Sequence, residues 1–263
     1  MKKILINSLM IMFLGIIFYS CSEDPVKPPV NNDPSNKYFP LKVGSWWTYT
    51  NYTLDRDGNK IDTTEFNSKY IIGDTVTQEG KLAYIFNIQD LLGNKIEDNK
   101  FYYTTKTQVF EYFKLLPPLN FSFPIDIPLT WYKLSDESGT EWTLFKQDID
   151  SVELQVSGFT VILNDEFEIK AENEGIEDVT YGTNMDKTVS AKKFKVSYIY
   201  GGNSLYLGIT IQIPFTVESI YYFAENIGLV KQVMNPMVIE LMGSEFFRMP
   251  GTEQILLDYY IAE

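Results

Sequence analysis

The stretch "IYYFAENIGLVKQV" (residues 220–233) carries the pattern that decides the fold. Ile220, Tyr222 and Ala224 alternate with Tyr221, Phe223 and Glu225. In a β-strand, two such sets point to opposite faces of the sheet. Asn226 and Gly228 are residue types that accept the positive φ of a tight turn, and residues 229–233 then start a return strand. The stretch therefore predicts a hairpin of two antiparallel strands with one apolar face.

The same pattern recurs in short runs rich in aromatic and β-branched residues. The runs that we interpret as strands lie at 45–54, 63–73, 81–89, 100–113, 192–200, 207–225 and 252–263. Turn residues separate many of them, and no long stretch has helical periodicity. Because parallel strands need long crossover connections, short turns favour antiparallel pairing. We expect an all-β fold, either a single large curved antiparallel sheet or a half-open barrel or sandwich, with little helix.

The N-terminus has the pattern of a secretory signal that ends at a cysteine. Met1-Lys2-Lys3 is basic, and residues 4–19 are almost entirely apolar but too short for a confident membrane span of about 20 residues. Ser20 followed by Cys21 resembles the cleavage site of bacterial lipoproteins, whose cysteine carries acyl chains. We therefore expect residues 1–20 to be a signal peptide and Cys21 to be lipidated. The alternative is an ordinary signal peptide or plain anchor with a chance cysteine.

Residues 21–37 have the composition of a tether between membrane and domain. They are rich in proline and lack apolar periodicity, which favours extended, unpacked chain. Ser22 and the acidic pair Glu23-Asp24 resemble the signals of lipoproteins that Bacteroidota send to the outer membrane and the cell surface. The folded domain then occupies 38–263, a length that one β domain can reach. We expect a lipid-anchored outer-membrane protein, on the periplasmic face or the cell surface.

Composition excludes several classes of function. The formal charge is −13, and loss of Lys2 and Lys3 with the signal makes it −15 (−13 − 2), so nucleic acid is not an expected partner. The chain has no histidine, which excludes Ser-His-Asp, Cys-His and His-zinc sites. No glycine-rich nucleotide-binding motif is present. We expect no cofactor, no metal and no catalytic residue; an enzyme would have to work through two carboxylates, as glycoside hydrolases do.

Two acidic stretches are candidates for a calcium-binding site. Asp55 and Asp57 occupy positions 1 and 3 of a possible calcium loop, as in an EF-hand. The glycine, however, is at position 4 instead of 6, and Phe66 occupies position 12, where an EF-hand has a bidentate Glu. A hairpin turn explains this stretch better. Residues 164–178 contain seven carboxylates. We interpret them as a solvated acidic edge that discourages sheet aggregation, with a calcium site as the alternative.

Three triplets resemble the O-glycosylation signal of exported Bacteroidota proteins. They are Asp62-Thr63-Thr64, Asp74-Thr75-Val76 and Asp150-Ser151-Val152. The resemblance implies glycans on Thr63, Thr75 and Ser151, at turns or strand ends.

Two longer blocks resemble uncharacterised envelope lipoproteins of the Bacteroidota and Ignavibacteria type. "YFPLKVGSWWTYT" (38–50) is similar to the Phe-Pro-Leu, Gly, Trp-x-Tyr start of their mature domains. "YYFAENIGLVKQV" (221–233) is similar to the Gly-Leu-Val-Lys hairpin near their C-terminal ends. The second block more distantly resembles one in periplasmic lipoprotein carriers, which have a half-open barrel around an apolar cavity. The resemblance implies a curved sheet of that kind here.

Three functional hypotheses remain open. The first is an apolar ligand or a lipoprotein handled in a cavity inside the sheet, with Leu119, Phe121 and Phe123 of the proline-rich stretch 115–129 at its rim. The second is a surface scaffold or glycan-binding protein. The third is an acidic-residue hydrolase. We expect binding rather than catalysis, with the membrane as a partner through the acyl chains and a lipid or glycan as the ligand.

Three tryptophans are relevant to the hypothesis of a surface scaffold or glycan-binding protein. Trp46, Trp131 and Trp142 are suited to stacking on sugars or acyl chains, and packing in the core is the alternative use of the same side chains. An exposed aromatic face would favour a surface role.

Overall fold

A computed structural model of the protein describes residues 36–114, 125–156, 159–206, 209–212, 214–241 and 244–263. No helix in these ranges is long and apolar enough to cross a membrane. The first eight strands are β1 (Trp46–Leu54), β2 (Lys60–Gln78), β3 (Lys81–Gln89), β4 (Lys100–Thr104), β5 (Gln108–Lys114), β6 (Leu129–Asp136), β7 (Glu141–Val156) and β8 (Phe159–Tyr181). The next eight are β9 (Lys187–Tyr200), β10 (Asn203–Tyr206), β11 (Ile209–Gln212), β12 (Phe215–Ala224), β13 (Gly228–Met234), β14 (Met237–Leu241), β15 (Ser244–Met249) and β16 (Gly251–Tyr260).

Fourteen of these strands form one antiparallel sheet that curls almost into a closed barrel. Twelve strands run around the barrel in the order β7, β8, β9, β12, β13, β16, β1, β2, β3, β4, β5 and β6. The β10–β11 hairpin extends the sheet from β8, and β14 pairs with β15 in a separate two-stranded sheet. The prediction of an all-β fold with one large curved antiparallel sheet is confirmed.

The seam of the barrel lies between β6 and β7, which are consecutive in the chain. Side chains bridge it in place of a backbone ladder. The indole N–H of Trp142 on β7 donates to the carbonyl of Lys133 on β6 over 2.8 Å. The ammonium of Lys192 on β9 meets the carboxylate of Glu137 at 3.0 Å. Two polar contacts thus link β6 and the loop after it to β7 and β9 at the seam.

The hairpin predicted for residues 220–233 forms, with β12 and β13 as its strands. Asn226 has φ 61° and Gly228 has φ 102°, the positive values that the turn needs. The run 100–113, in contrast, makes two strands rather than one. Residues 105–107 form a turn, closed by the N–H of Thr105 and the carbonyl of Gln108 at 3.0 Å.

The acidic segment 164–178 is an edge only in part, which corrects the sequence-based interpretation. It belongs to β8: residues 167–172 pair with β7 on one side and β9 on the other, whereas residues 173–178 pair with β9 alone. Phe167, Ile169 and Ala171 are buried, and several of the carboxylates between and after them pair with lysines. The Lys195 ammonium lies 2.9 Å from Glu174 and 3.2 Å from Glu172. Among the described residues, no group of three or more acidic side chains is placed to hold a metal ion.

Two apolar clusters fill the interior. One includes Phe167, Ile169 and Val196, and the other includes Trp47 and Phe86. Tyr221 and Trp142 pack against both clusters, so the two are parts of one continuous core.

The two blocks that resemble envelope lipoproteins meet in the second cluster. Trp47 donates its indole N–H to the carbonyl of Ile227 at 2.6 Å, and the Tyr49 hydroxyl donates to the carbonyl of Leu229 at 3.0 Å. At the start of the described chain, the N–H of Asn226 donates to the carbonyl of Lys37 at 2.6 Å. Residues near both ends of the domain therefore hold each other in place.

Candidate functional site

A pocket of about 230 Å³ opens at one end of the barrel, where β1 and β13 end and where β4 and β16 begin. We call it the mouth pocket. Its lining is Asn51, Tyr52, Thr53, Phe66, Tyr70, Glu97, Lys100, Gln232, Thr252, Glu253 and Gln254. These described side chains are amides, hydroxyls, aromatic rings and charged groups, without an aliphatic residue larger than threonine. The pocket therefore mixes polar groups with aromatic patches.

A hydrogen-bond network fixes one wall of the mouth pocket across β16, β1 and β2. The amide nitrogen of Gln254 donates to the Asn51 side-chain oxygen at 3.0 Å and to the Tyr70 hydroxyl at 3.2 Å. The amide nitrogen of Asn51 donates to the Ser68 hydroxyl at 2.9 Å and to the Phe66 carbonyl at 3.2 Å. Both amides are thus oriented by the protein itself, which is how a preorganised binding wall is built.

Lys100 brings a positive charge to the same pocket. It stands opposite Phe86 of β3, and directly opposite residues share one face of a sheet, so its side chain lies on the inner face. The Lys100 ammonium is 5.6 Å from the centre of the Tyr70 ring, within cation–π range, and 3.6 Å from the Glu97 carboxylate. The side chain keeps 34% of its surface exposed, so the charge is accessible from the pocket.

The pKa of Lys100 lies above its ordinary value. Burial lowers this pKa, but the neighbouring Tyr70 hydroxyl and the Glu111 carboxylate raise it by more. Lys100 is therefore a permanent cation at the mouth of the barrel.

Beyond Lys100, the inner face continues as a row of polar groups on β4, β5 and β6. Tyr102 stands opposite Glu111, and Glu111 stands opposite Tyr132. Burial raises the pKa of Glu111, and the nearby Lys100 ammonium and Tyr102 hydroxyl only partly offset this. Burial also raises the pKa of Tyr221, to about 12. The interior next to the pocket thus offers neutral hydroxyl groups rather than phenolates.

A second feature, the outer aromatic patch, lies on the opposite face of β4, β5 and β6. It consists of Tyr103, Phe110, Tyr112 and Trp131, all half-buried. The ring centres of Tyr103 and Phe110 are 4.5 Å apart, and those of Tyr103 and Trp131 are 4.7 Å apart. The indole N–H of Trp131 is buried without a hydrogen-bond partner among the described residues. The patch therefore combines the stacked rings of Tyr103 and Phe110 with a Trp131 ring that meets Tyr103 edge-on, at 82°.

The three tryptophans singled out from the sequence lie in three different places. Trp131 belongs to the outer aromatic patch, and Trp142 bridges the seam. Trp46 stacks against Tyr260 at 6.4 Å, with the Lys69 ammonium 4.3 Å from its ring. None of the three lines the mouth pocket. The predicted rim residues Leu119, Phe121 and Phe123 lie outside the described residues, as does Cys21.

The three candidate glycosylation residues are spread over the surface. Thr63 is exposed on β2, and Thr75 is half-buried on the same strand. Ser151 is exposed at an irregular point of β7, where its φ is 54°. Glycosylation at these residues and lipidation of Cys21 remain predictions from the sequence.

The pocket residues Tyr70, Lys100 and Gln254 were missed by sequence reasoning. The alternation of "KFYYT" (100–104) puts Lys100 and Tyr102 on one face of a strand. Which face turns inward, and which other strands face it, depends on the pairing register. That pairing joins residues as distant as Asn51 and Gln254.

Comparison with known proteins gives a limited result. No family model and no curated protein matches the chain. A solved structure of a presumed lipoprotein from Parabacteroides distasonis is 13% identical, with a TM-score of 0.44 over 87% of this chain and 100% of that one. A presumed exported protein with a YmcC-like fold from Bacteroides fragilis is 12% identical, with a TM-score of 0.39 over 86% of this chain and 100% of that one. Likeness at this level assigns neither a family nor a function to this chain.

Proposed function

We propose that this protein is a lipid-anchored envelope protein that binds a sugar ring in the mouth pocket. The observation that carries the proposal is the fixed amide wall of Gln254 and Asn51 beside the Tyr70 ring and the Lys100 ammonium. A sugar offers hydroxyl groups to amides and charges, and its C–H faces pack on aromatic rings. Phe66, at the edge of the pocket, is 54% exposed and provides such a ring.

The size and polarity of the pocket favour one ring over an acyl chain. Pockets for drug-sized ligands span roughly 300–1,000 Å³, so about 230 Å³ suits a smaller group. An acyl chain placed there would remove the 34% exposed Lys100 ammonium from water without supplying a hydrogen-bond acceptor, which is costly for a charged group. The ligand is therefore a saccharide, either free or as the head of a glycolipid whose acyl chains stay outside the pocket.

We further propose that the site binds rather than catalyses. Two carboxylates, those of Glu97 and Glu253, line the pocket, as a glycoside hydrolase would need. Each is held by lysine: Glu97 by Lys100 at 3.6 Å, and Glu253 by Lys60 at 2.6 Å and by Lys231 at 3.3 Å. A carboxylate held by a lysine ammonium is not free to approach the scissile bond of a bound glycoside.

Saturation-transfer NMR on the full-length protein in mild detergent tests the proposal. The ligands are a panel of monosaccharides in one arm and glycolipids with the same head groups in the other. We expect transfer to sugar-ring protons in the wild type and its loss in Gln254→Leu. Gln147→Leu, at an exposed position on β7, is the matched control and keeps the transfer. Absence of transfer to any sugar, or full transfer in Gln254→Leu, would overturn the proposal.

The outer aromatic patch favours a second function, that of a surface scaffold. Its aromatic rings would pack against apolar groups of a protein partner, since aromatic side chains are enriched in protein interfaces. A photo-crosslinking residue placed at Tyr112 tests this in cells. Capture of a protein that is lost on Phe110→Thr would favour the scaffold, since that variant removes a ring of the patch and keeps a residue suited to a strand.

A further inference from the structure

The loop between β3 and β4 presents two leucines to solvent. Leu91 and Leu92 expose 58% and 88% of their surfaces at the apex of the turn 90–94. Ile96, further along the same loop, is 41% exposed. Scattered exposed apolar residues need no explanation, but adjacent ones at the apex of a turn form a concentrated apolar surface. We call Leu91 and Leu92 the leucine tip.

The turn that carries the leucine tip is well built. The Asp90 carboxylate accepts hydrogen bonds from the N–H of Leu92 at 2.9 Å and from the N–H of Asn94 at 2.8 Å. The Asn94 side-chain amide donates back to Asp90 at 2.8 Å, and Gly93 takes a φ of 89°. These bonds hold the backbone while both leucine side chains point away from the core.

A second turn of the chain has the same frame without leucines. "DRDGN" (55–59) between β1 and β2 matches "DLLGN" (90–94) at the first, fourth and fifth positions. The Asp55 carboxylate accepts from the N–H of Asp57 at 2.9 Å and from the N–H of Asn59 at 2.8 Å. Because polar residues serve equally well at the second and third positions, formation of the turn does not require Leu91 and Leu92.

The segment 90–100, which carries the leucine tip, has three carboxylates and two lysines, a net charge of −1 in a chain whose total is −13. Lys95 pairs with Asp98 at 2.9 Å, and Lys100 lies 3.6 Å from Glu97. Lys95 directly follows the turn, and its side chain is 60% exposed. A lysine at that place reaches phosphate groups while the leucines enter an apolar layer. The tip therefore carries little net charge to oppose contact with a zwitterionic phospholipid surface.

We propose that the leucine tip inserts into the surface of a phospholipid bilayer. This proposal does not rest on the sugar site, although Glu97 of the same loop lines the mouth pocket. Asn36 binds the carbonyls of Thr105 and Gln108, beyond the end of β4, whereas the tip precedes β4. Residues 22–35, between the predicted lipidated Cys21 and Asn36, would span roughly 43 Å if extended at about 3.1 Å per residue, more than the roughly 17 Å of the five-residue β4. Two leucines give only a weak contact, but an anchored domain samples the membrane at high effective concentration. The tip then orients the domain on the bilayer to which it is anchored.

Site-specific fluorescence quenching tests this proposal on the full-length, acylated protein. Cys21 is the only cysteine, so Leu92→Cys adds a single labelling site once Cys21 is acylated, and the parent chain shows that no other label enters. The labelled protein is reconstituted in phosphatidylcholine vesicles with brominated acyl chains. We expect bromine to reduce the fluorescence of a label at 92. A label on Asp57→Cys, at the same position of the matching turn, keeps its fluorescence.

Leu91→Arg in the Leu92→Cys background supplies the loss test. Arginine is the residue that the matching turn has at this position, so the turn is retained while apolar surface is removed. Quenching at 92 should then fall. Equal quenching at positions 92 and 57, or none at 92, would overturn the proposal. A fall in fluorescence that depends on the density of protein in the vesicles, and not on bromine, would also overturn the proposal. It would show that the leucine tip contacts a second copy of the protein instead of the bilayer.

Discussion

Trp47 on β1 donates its indole N–H to the carbonyl of Ile227, in the turn between β12 and β13, over 2.6 Å. The two residues are separated by 180 positions in the chain. Gly228 follows directly, and a Cβ there would lie 3.3 Å from the Trp47 indole nitrogen. The close approach explains why a tryptophan in one block and a glycine in the other occur together.

Trp47→Phe should therefore destabilise the protein by about 2–3 kcal/mol, because it leaves the buried Ile227 carbonyl unpaired and a small cavity behind. Urea unfolding followed by circular dichroism measures the loss. Trp46→Phe is the control, since Trp46 faces outward and should lose much less. Equal losses of unfolding free energy in Trp47→Phe and Trp46→Phe would contradict a stabilising role for the Trp47–Ile227 hydrogen bond.

Asp136 holds the loop that leads to the seam. Its carboxylate accepts hydrogen bonds from Gln108 and Lys133, each at 2.8 Å, and from the Ser138 hydroxyl at 2.8 Å. Burial alone raises the pKa of Asp136, but the bonds from Lys133, Ser138 and Gln108 lower it far more. The folded pKa is thus below the ordinary 3.8, and the stability gained is present above that pH and lost as pH falls.

Asp136→Asn should cost about 2–3 kcal/mol at neutral pH, and the difference from wild type should shrink as pH falls below about 3.8. Unfolding free energies at neutral and acidic pH measure it. Asp98→Asn, at a fully exposed ion pair, is the control and should have little effect at either pH. A loss for Asp136→Asn that is the same at both pH values would speak against the charge as its cause.

Lys195 is the centre of an ion-pair network on the outer face of β9. Its ammonium lies within 3.7 Å of Glu172, Glu174 and Glu218, and only 18% of its side chain is exposed. Lys195→Met removes the charge that separates three carboxylates and should cost about 1–3 kcal/mol, more at low salt. Lys114→Met, which breaks one exposed pair with Asp126, should cost less than about 1 kcal/mol. Salt-dependent unfolding of the two variants distinguishes a network from an isolated pair.

Glu111 should titrate above the ordinary 4.5 of a glutamate, because burial raises its pKa. Between the unfolded and folded pKa values, the folded protein binds more protons, so this group makes stability fall as pH rises through that window. Carboxyl-carbon NMR gives the pKa directly, with Glu111→Gln to assign the signal. Lys100→Met should raise the Glu111 pKa further, since the ammonium now lowers it. An unchanged Glu111 pKa in Lys100→Met would show that the Lys100 ammonium is too far from Glu111 to influence its ionisation.

Much of the fold was predictable because local pattern and turn chemistry agree. Alternation and a glycine turn gave the β12–β13 hairpin, and "KLAYIFNIQ" is strand β3 from end to end. Strand β8 was missed. Its carboxylates concealed an alternation in which Phe167 and Ile169 are fully buried. Glu172, Glu174 and Glu177 are balanced by lysines of β9, a cross-strand effect that a single run of sequence does not display.

The candidate site was not predictable for a related reason. Gln254, Asn51 and Tyr70 come together only through the pairing of β1 with β16 and with β2. Each residue alone is an ordinary polar or aromatic residue in a strand. Shifting any of these pairings by one residue would turn the side chains outward, so the site depends on register rather than composition.

Native mass spectrometry of the full-length protein, released from its host envelope in mild detergent, tests the central claim most directly. The account predicts a bound saccharide or glycolipid on the wild type and on Gln147→Leu, and its loss from Gln254→Leu. The mass of the bound species identifies which of the two it is. An acylated polypeptide without ligand in every sample, or a ligand retained by Gln254→Leu, would contradict a sugar-binding mouth pocket.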